Sequence, residues 1–153
     1  MMVLVRVLAL VSIIATGFAA PTALRAEDDG VHKLALQISD NDAEKMVAVL
    51  NIAANVSRFY SSIGEEVEIR IIAFNAGMHM LRTDTAPEQV ANRVRGFSQS
   101  MPNVAFVGCG NTIDSMTRSE GKPPPIIEHS ETVEAGVVEL ITLNEAGWTI
   151  VRP

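Results

Sequence analysis

The sequence predicts an α/β domain: a three-layer sandwich whose mainly parallel sheet of about five strands carries helices on both faces. Three observations point there. Apolar residues recur alternately at period two and at helical spacing from residue 32 to the end. The second and third strand segments contain stretches apolar on both faces, as in a sheet covered from both sides. A chain of 153 residues, 48 % hydrophobic and 20 % charged, is long enough for one buried core and too apolar for disorder.

Residues 32–39 set Leu34, Leu36 and Ile38 on one side and read as a first strand. Ser39, Asp40, Asn41 and Asp42 interrupt it and offer helix N-cap side chains. Ala43, Met46, Val47, Leu50, Ala53, Ala54, Ser57 and Tyr60 then define one face of a long helix, which Gly64 ends. Residues 67–74 begin alternating and finish apolar, a second strand, with Asn75-Ala76-Gly77 turning at its carboxyl end and a short helical turn at 78–81. Thr85, Pro87 and Glu88 have capping-box spacing and predict a helix to about Ser100, with Val90, Ala91, Val94, Phe97 and Met101 inward. Val104-Ala105-Phe106-Val107 is a third, central strand. Asn111 or Thr112 can cap a short helix after it, with Ile113, Met116 and Thr117 facing in. Pro123-Pro124-Pro125 enforces an extended surface segment. A fourth strand spans 126–133, interrupted near Glu128-His129-Ser130. A helix over 133–146 follows, with Val137, Leu140, Ile141 and Asn144 on its inner face and Gly147 beyond it, and 148–151 is the last strand.

Residues 1–26 have another character. Arg6 precedes an apolar stretch from Val7 to Ala20, and small residues and a proline follow before Glu27-Asp28-Asp29. That order is the signature of a secretory signal peptide, cleaved after Ala26 or after Ala19. The stretch is roughly 14 residues against the roughly 20 that cross a bilayer, so no stable membrane insertion is expected. The organisation predicted is a signal peptide at 1–26, a short linker at 27–31 and one domain at 32–153, in a periplasmic protein. Losing Arg6 and Arg25 carries the net charge from -6 to about -8, and the remaining lysines and arginines are scattered singly. Nucleic acid is excluded as a partner on that ground.

Cys109 is the single cysteine, so the exported chain has no internal disulfide and rests on its core. It stands in Phe106-Val107-Gly108-Cys109-Gly110-Asn111-Thr112, where the third strand passes through a glycine-flanked turn into a helix. Ligands gather at the carboxyl ends of parallel strands, and the unpaired N–H groups of a helix start favour a thiolate. Gly108 and Gly110 let a ligand or backbone approach closely. A buried, inert cysteine ending a core strand is the opposing reading. His79 and His129 are candidates to face the same crevice, as a base for the nucleophile or as part of a metal site. No His or Cys pair has ligand spacing, so no metal is assigned. Asn75 and Gly77 shape either a small-molecule pocket or a tight turn, and Asn111 and Thr112 complete the candidate binding residues. There is no Gly-x-Gly-x-x-Gly and no Walker-type loop, and no cofactor is expected. Met78 and Met80 are too few for a copper-binding methionine box.

Three segments together, residues 106–112, the turn Asn75-Ala76-Gly77-Met78 and the ending Asn144-Glu145-Ala146-Gly147-Trp148-Thr149-Ile150-Val151-Arg152-Pro153, give residues 32–153 a resemblance to the DsrE family. The resemblance implies a small α/β subunit that assembles into homo-oligomers or mixed complexes, with its cysteine at a sheet edge near a subunit interface. In the sulfur-trafficking members that thiol carries a persulfide, and Cys109 alone stands at the matching position. The function so implied is an exported sulfur carrier or thiol-redox protein, with a sulfur donor or acceptor protein as partner. The alternative is a noncatalytic oligomeric binding or assembly module with a structural cysteine.

Overall fold

The computed structural model describes residues 30–153, so the expected signal peptide at 1–26 and most of the expected linker at 27–31 lie outside the described residues. The elements are β1 (Val31–Ile38), α1 (Ala43–Ile63), β2 (Glu66–Ala73), a 3-10 turn (Asn75–Leu81), α2 (Glu88–Ser100), β3 (Val104–Cys109), α3 (Gly110–Glu120), β4 (Ser130–Val133), α4 (Gly136–Glu145) and β5 (Thr149–Val151). Every strand pairing is parallel, and the sheet order is β4-β3-β2-β1-β5. The fold is the α/β three-layer sandwich that the alternation predicts.

The order of the strands decides which helix lies where. From β1 to β4 each connection steps one strand in the same direction, and right-handed crossovers put all three connecting helices on one face. The step from β4 to β5 runs back across the sheet and puts α4 on the other. The core divides accordingly. Leu34, Leu36, Ile38, Ile69, Ile71 and Phe106 pack with Met46, Val49, Leu50, Val90, Val94 and Phe97 of α1 and α2, and with Ile113 and Met116 of α3. On the opposite face, at the alternate strand positions, Ala35, Ile72 and Val107 meet Leu140 and Leu143 of α4. Each of the larger buried side chains stabilises the fold by about 1.5–3 kcal/mol.

Asp42 caps α1 by accepting from the N–H groups of Glu44 and Lys45 at 2.9 and 3.1 Å. Gly64 ends that helix in the left-handed region, φ 75°. Elsewhere the structure corrects the sequence reading. Thr85 does not cap α2: the helix begins at Glu88, directly after Pro87, and the Thr85 hydroxyl is bonded to His79 Nδ1 at 2.7 Å. In α4 the inward residues are Gly136, Leu140 and Leu143, while Val137, Ile141 and Asn144 face out. The cause is steric. Gly136 lies so close to Phe74 and Cys109 that it fixes the contact face, and positions four and seven residues on share it. Only residues 130–133 of the fourth-strand segment join the sheet, and Ile126 makes an isolated antiparallel bridge with Arg82.

Arg82 is 4 % exposed and ties the β2–α2 connection to the end of α3. Its Nε and Nη2 donate to Asp84 at 2.8 Å each, Nη2 also donates to Glu120 Oε2 at 2.9 Å, and Nη1 donates to Glu120 Oε1. These bonds from Arg82 hold both carboxyls below their ordinary range. A carboxylate whose pKa is lowered by folding stabilises the fold above its unfolded pKa, and that contribution is lost as pH falls through the folded value. Urea midpoints should therefore drop on acidification below about pH 4. In the Asp84→Asn, Glu120→Gln double variant the midpoint should already be lower at neutral pH, because the buried guanidinium is left without counter-charge, and should depend less on acid. Equal acid dependence in the two proteins would place the acid sensitivity elsewhere.

Candidate functional site

Adjacent strands β3 and β4 send their following helices to opposite faces of the sheet, which opens a crevice between them at their carboxyl ends. Cys109 is the last residue of β3 and the residue before α3. It pairs with Val133, the last residue of β4, so the start of α4 stands beside it. The two turns interlock through their glycines. A Cβ on Gly136 would lie 3.1 Å from Phe74 Cβ and 3.3 Å from Cys109 Cβ, and one on Gly110 would lie 3.0 Å from the Val133 carbonyl oxygen. The Asn111 N–H donates to the Glu134 carbonyl at 3.0 Å and locks the pair of turns.

Cys109 is 6 % exposed and contributes to the wall of an open cleft of about 500 Å³, together with Phe74, Asn75, Asn111, Thr112 and Val137. Burial pushes its thiol up. The Thr112 hydroxyl and the backbone N–H groups of Gly136 and Thr112 act the other way, with the smallest share from the Asn111 N–H, which is also committed to the Glu134 carbonyl, and they prevail, so the thiol titrates below the ordinary cysteine value. Two of these groups begin α3 and one begins α4, so the sulfur faces the positive ends of two helix dipoles. Asn75 adopts a left-handed backbone, φ 49°, and its N–H donates to Thr112 Oγ1 at 3.0 Å. That leaves the Thr112 hydrogen available to the sulfur. Among the described residues no charged side chain lines the cleft. Arg118, in the last turn of α3, is not among its walls.

The structure thus brings Asn75, Asn111 and Thr112 to Cys109 and sorts the other candidates. Gly110 closes the turn against the end of β4. Gly108 makes room for Met78, whose Cε lies 3.2 Å from where a Cβ would be. At Gly77 a Cβ would fall 2.2 Å from the Ile38 carbonyl oxygen, so that glycine serves the packing of the β2 turn on the end of β1. His79 is turned to Thr85 and does not line the cleft. His129 does not face Cys109 either. It precedes Ser130, which pairs with Phe106 three residues before Cys109, and it borders a separate hollow of about 280 Å³ with Met80 and Arg95. Sequence reasoning missed Phe74, Ser115, Val137 and Gly136. Only Gly136 carried a signal, a glycine ahead of an apolar run, and reading that run as helix from residue 133 concealed it.

No family model matches the chain, and no curated protein matches it. Among solved structures it is similar to a protein of unknown function from Methanobacterium thermoautotrophicum, with a TM-score of 0.66 and 22 % identity over 80 % of this chain and 99 % of that one. At that identity the likeness concerns the fold.

Thr112→Val removes the hydroxyl donor with little change of shape, so the Cys109 pKa should rise and alkylation by iodoacetamide at neutral pH should slow several-fold, while Thr112→Ser keeps both near wild type. Titrating the thiolate absorbance of the three proteins checks this. Identical curves would show that the hydroxyl does not act on the sulfur.

Proposed function

We propose that the chain is an exported protein of the DsrE kind whose Cys109 accepts sulfane sulfur and passes it on as a persulfide within an oligomer. One observation supports this reading above the rest: the thiol stands in a cleft wall where four uncharged donors favour its ionised form. The thiolate attacks the outer sulfur of a donor persulfide. A bond forms between Sγ and that sulfur, the donor's S–S bond breaks, and the donor leaves as a thiolate, so the transfer is redox-neutral and needs no cofactor. An acceptor thiolate then attacks the outer sulfur and releases Cys109 in its starting state. Donors that hold a thiolate through backbone dipoles serve a persulfide anion equally well. The order of charge, apolar stretch and small residues at the N-terminus supports export.

The 6 % exposure of Cys109 favours a second reading, in which the cysteine only fills space in an assembly module. Intact mass after incubation with polysulfide separates the two. Additions of about 32 Da that vanish in Cys109→Ala are expected for a sulfur carrier. No adduct from any sulfane donor, with a thiol no faster to alkylate in the native than in the unfolded chain, would leave the second reading standing. Export is checked by N-terminal sequencing of the periplasmic protein, which should begin at Glu27 or Ala20.

A further inference from the structure

The segment between α3 and β4 passes the flank of α2 before it joins the sheet. Ile126 bridges to Arg82, the Ile127 N–H donates to the Leu81 carbonyl at 3.0 Å, and the Pro125 carbonyl accepts from the Thr83 N–H at 2.9 Å. These bonds tie the segment to the turn after β2. A hollow of about 280 Å³ is left between it and the α2 stripe Ala91, Val94, Arg95 and Ser98, whose members are three and four residues apart. Its floor is apolar: Met80 and Val94 are buried, and Ala91 and Ile127 are half-buried.

The charged groups around this floor are in different states. Arg82 closes the inner wall, and all five of its N–H groups are engaged, by Asp84, Glu120 and the Met116 sulfur. It is a fixed wall with no donor to spare. Arg95 is exposed at the rim, where it donates to Asn92 Oδ1 at 3.1 Å and has no carboxylate partner among the described residues. Glu128, exposed on the facing segment, has no cationic partner among them and is not paired with Arg95. An unpaired cation and an unpaired anion thus border one apolar hollow.

We propose that this hollow binds a free α-amino acid with an apolar side chain. Arg95 takes the α-carboxylate through its forked donors, Glu128 takes the α-ammonium, and the side chain lies on Met80, Ala91, Val94 and Ile127. The volume sets the size of the occupant. It is just under the roughly 300–1,000 Å³ of sites for larger ligands, which suits a leucine or a methionine. A fatty acid would satisfy Arg95 and be repelled by Glu128, and an amine would do the reverse, whereas a zwitterion answers both charges. Cys109 does not line the hollow, so the site is separate from the sulfur reading.

Following the amide NMR shifts of the purified protein during titration with L-leucine tests it. Leucine should give saturable shifts along α2 and residues 127–129. Leucinamide, isocaproate and glycine lack in turn the carboxylate, the ammonium and the apolar side chain, and each should bind on the order of tenfold more weakly. Arg95→Gln should weaken leucine by a similar factor and leave leucinamide unchanged. Glu128→Gln should also weaken leucine, but not isocaproate. Both changes are at exposed positions, and unfolding curves should match wild type. No saturable shift with leucine or methionine, isocaproate or leucinamide binding as well as leucine, or an Arg95→Gln that binds leucine like wild type overturns the site. Cys109→Ala should keep the wild-type affinity for leucine, so a failure of the sulfur reading leaves this site standing. A sulfur adduct on a protein that does not bind leucine would overturn the amino-acid site alone.

Discussion

The approach of two crossover turns at the carboxyl ends of β3 and β4 governs the rest of this molecule. Gly110 and Gly136 have no Cβ where the neighbouring backbone and the Cys109 side chain pass, and the Asn111 to Glu134 hydrogen bond holds the turns together. Any larger residue at Gly136 would have to displace the Cys109 or Phe74 side chain. The helices beyond these turns would then start farther from the sulfur. The same contact also fixes the rotation of α4, because the glycine face must be the inward one. One local constraint thus sets both the electrostatics of the cysteine and the orientation of a whole helix.

The way the thiol is favoured has chemical consequences. A cysteine paired with a lysine or histidine titrates together with its partner, and its reactivity follows the partner's protonation. Here the stabilising groups are backbone N–H groups and a hydroxyl. They carry no proton to lose in the working range, so the state of the sulfur follows its own pKa alone. They also remain donors to whatever anion occupies the position. Desolvation of the nearly buried sulfur is the largest single effect and opposes them, yet the net shift is downward.

The fold was legible because its signals are redundant. Leu34, Leu36 and Ile38 alternate, Met46, Leu50 and Ala53 recur at helical spacing, and Gly64 and Pro102 punctuate, so each element is stated by several residues. Cys109 and Thr112 were legible because a glycine-flanked strand end has few structural outcomes. The remainder of the site was not. Gly136 and Cys109 are adjacent only because β4 pairs with β3, and no local pattern encodes strand order. His129 looked like a strand residue because the apolar pair Ile126-Ile127 resembles a strand start, whereas Ile126 bridges to Arg82 outside the sheet. The Arg82 clip takes in the neighbouring Asp84 and reaches Glu120, far along the chain, with side chains of a kind that reads as solvated charge.

The misread face of α4 has a cause that is itself informative. Periodicity identifies an inner face only when the opposite face is polar. In α4 the residues Val137, Val138, Leu140, Ile141 and Leu143 surround the axis, and the one polar residue before Thr142 is Glu139, which is half-buried and paired with Arg70. A helix that is apolar all round is ordinarily buried all round. Yet among the described residues α4 is the single helix on its face of the sheet, with no further element to lay over it. The asymmetry of the sandwich, three helices on one side and one on the other, follows from the strand order, so no rearrangement of this fold covers the outer side of α4. The composition of α4 is that of a helix with two contact surfaces, one of which this chain fills with its own sheet through Leu140 and Leu143.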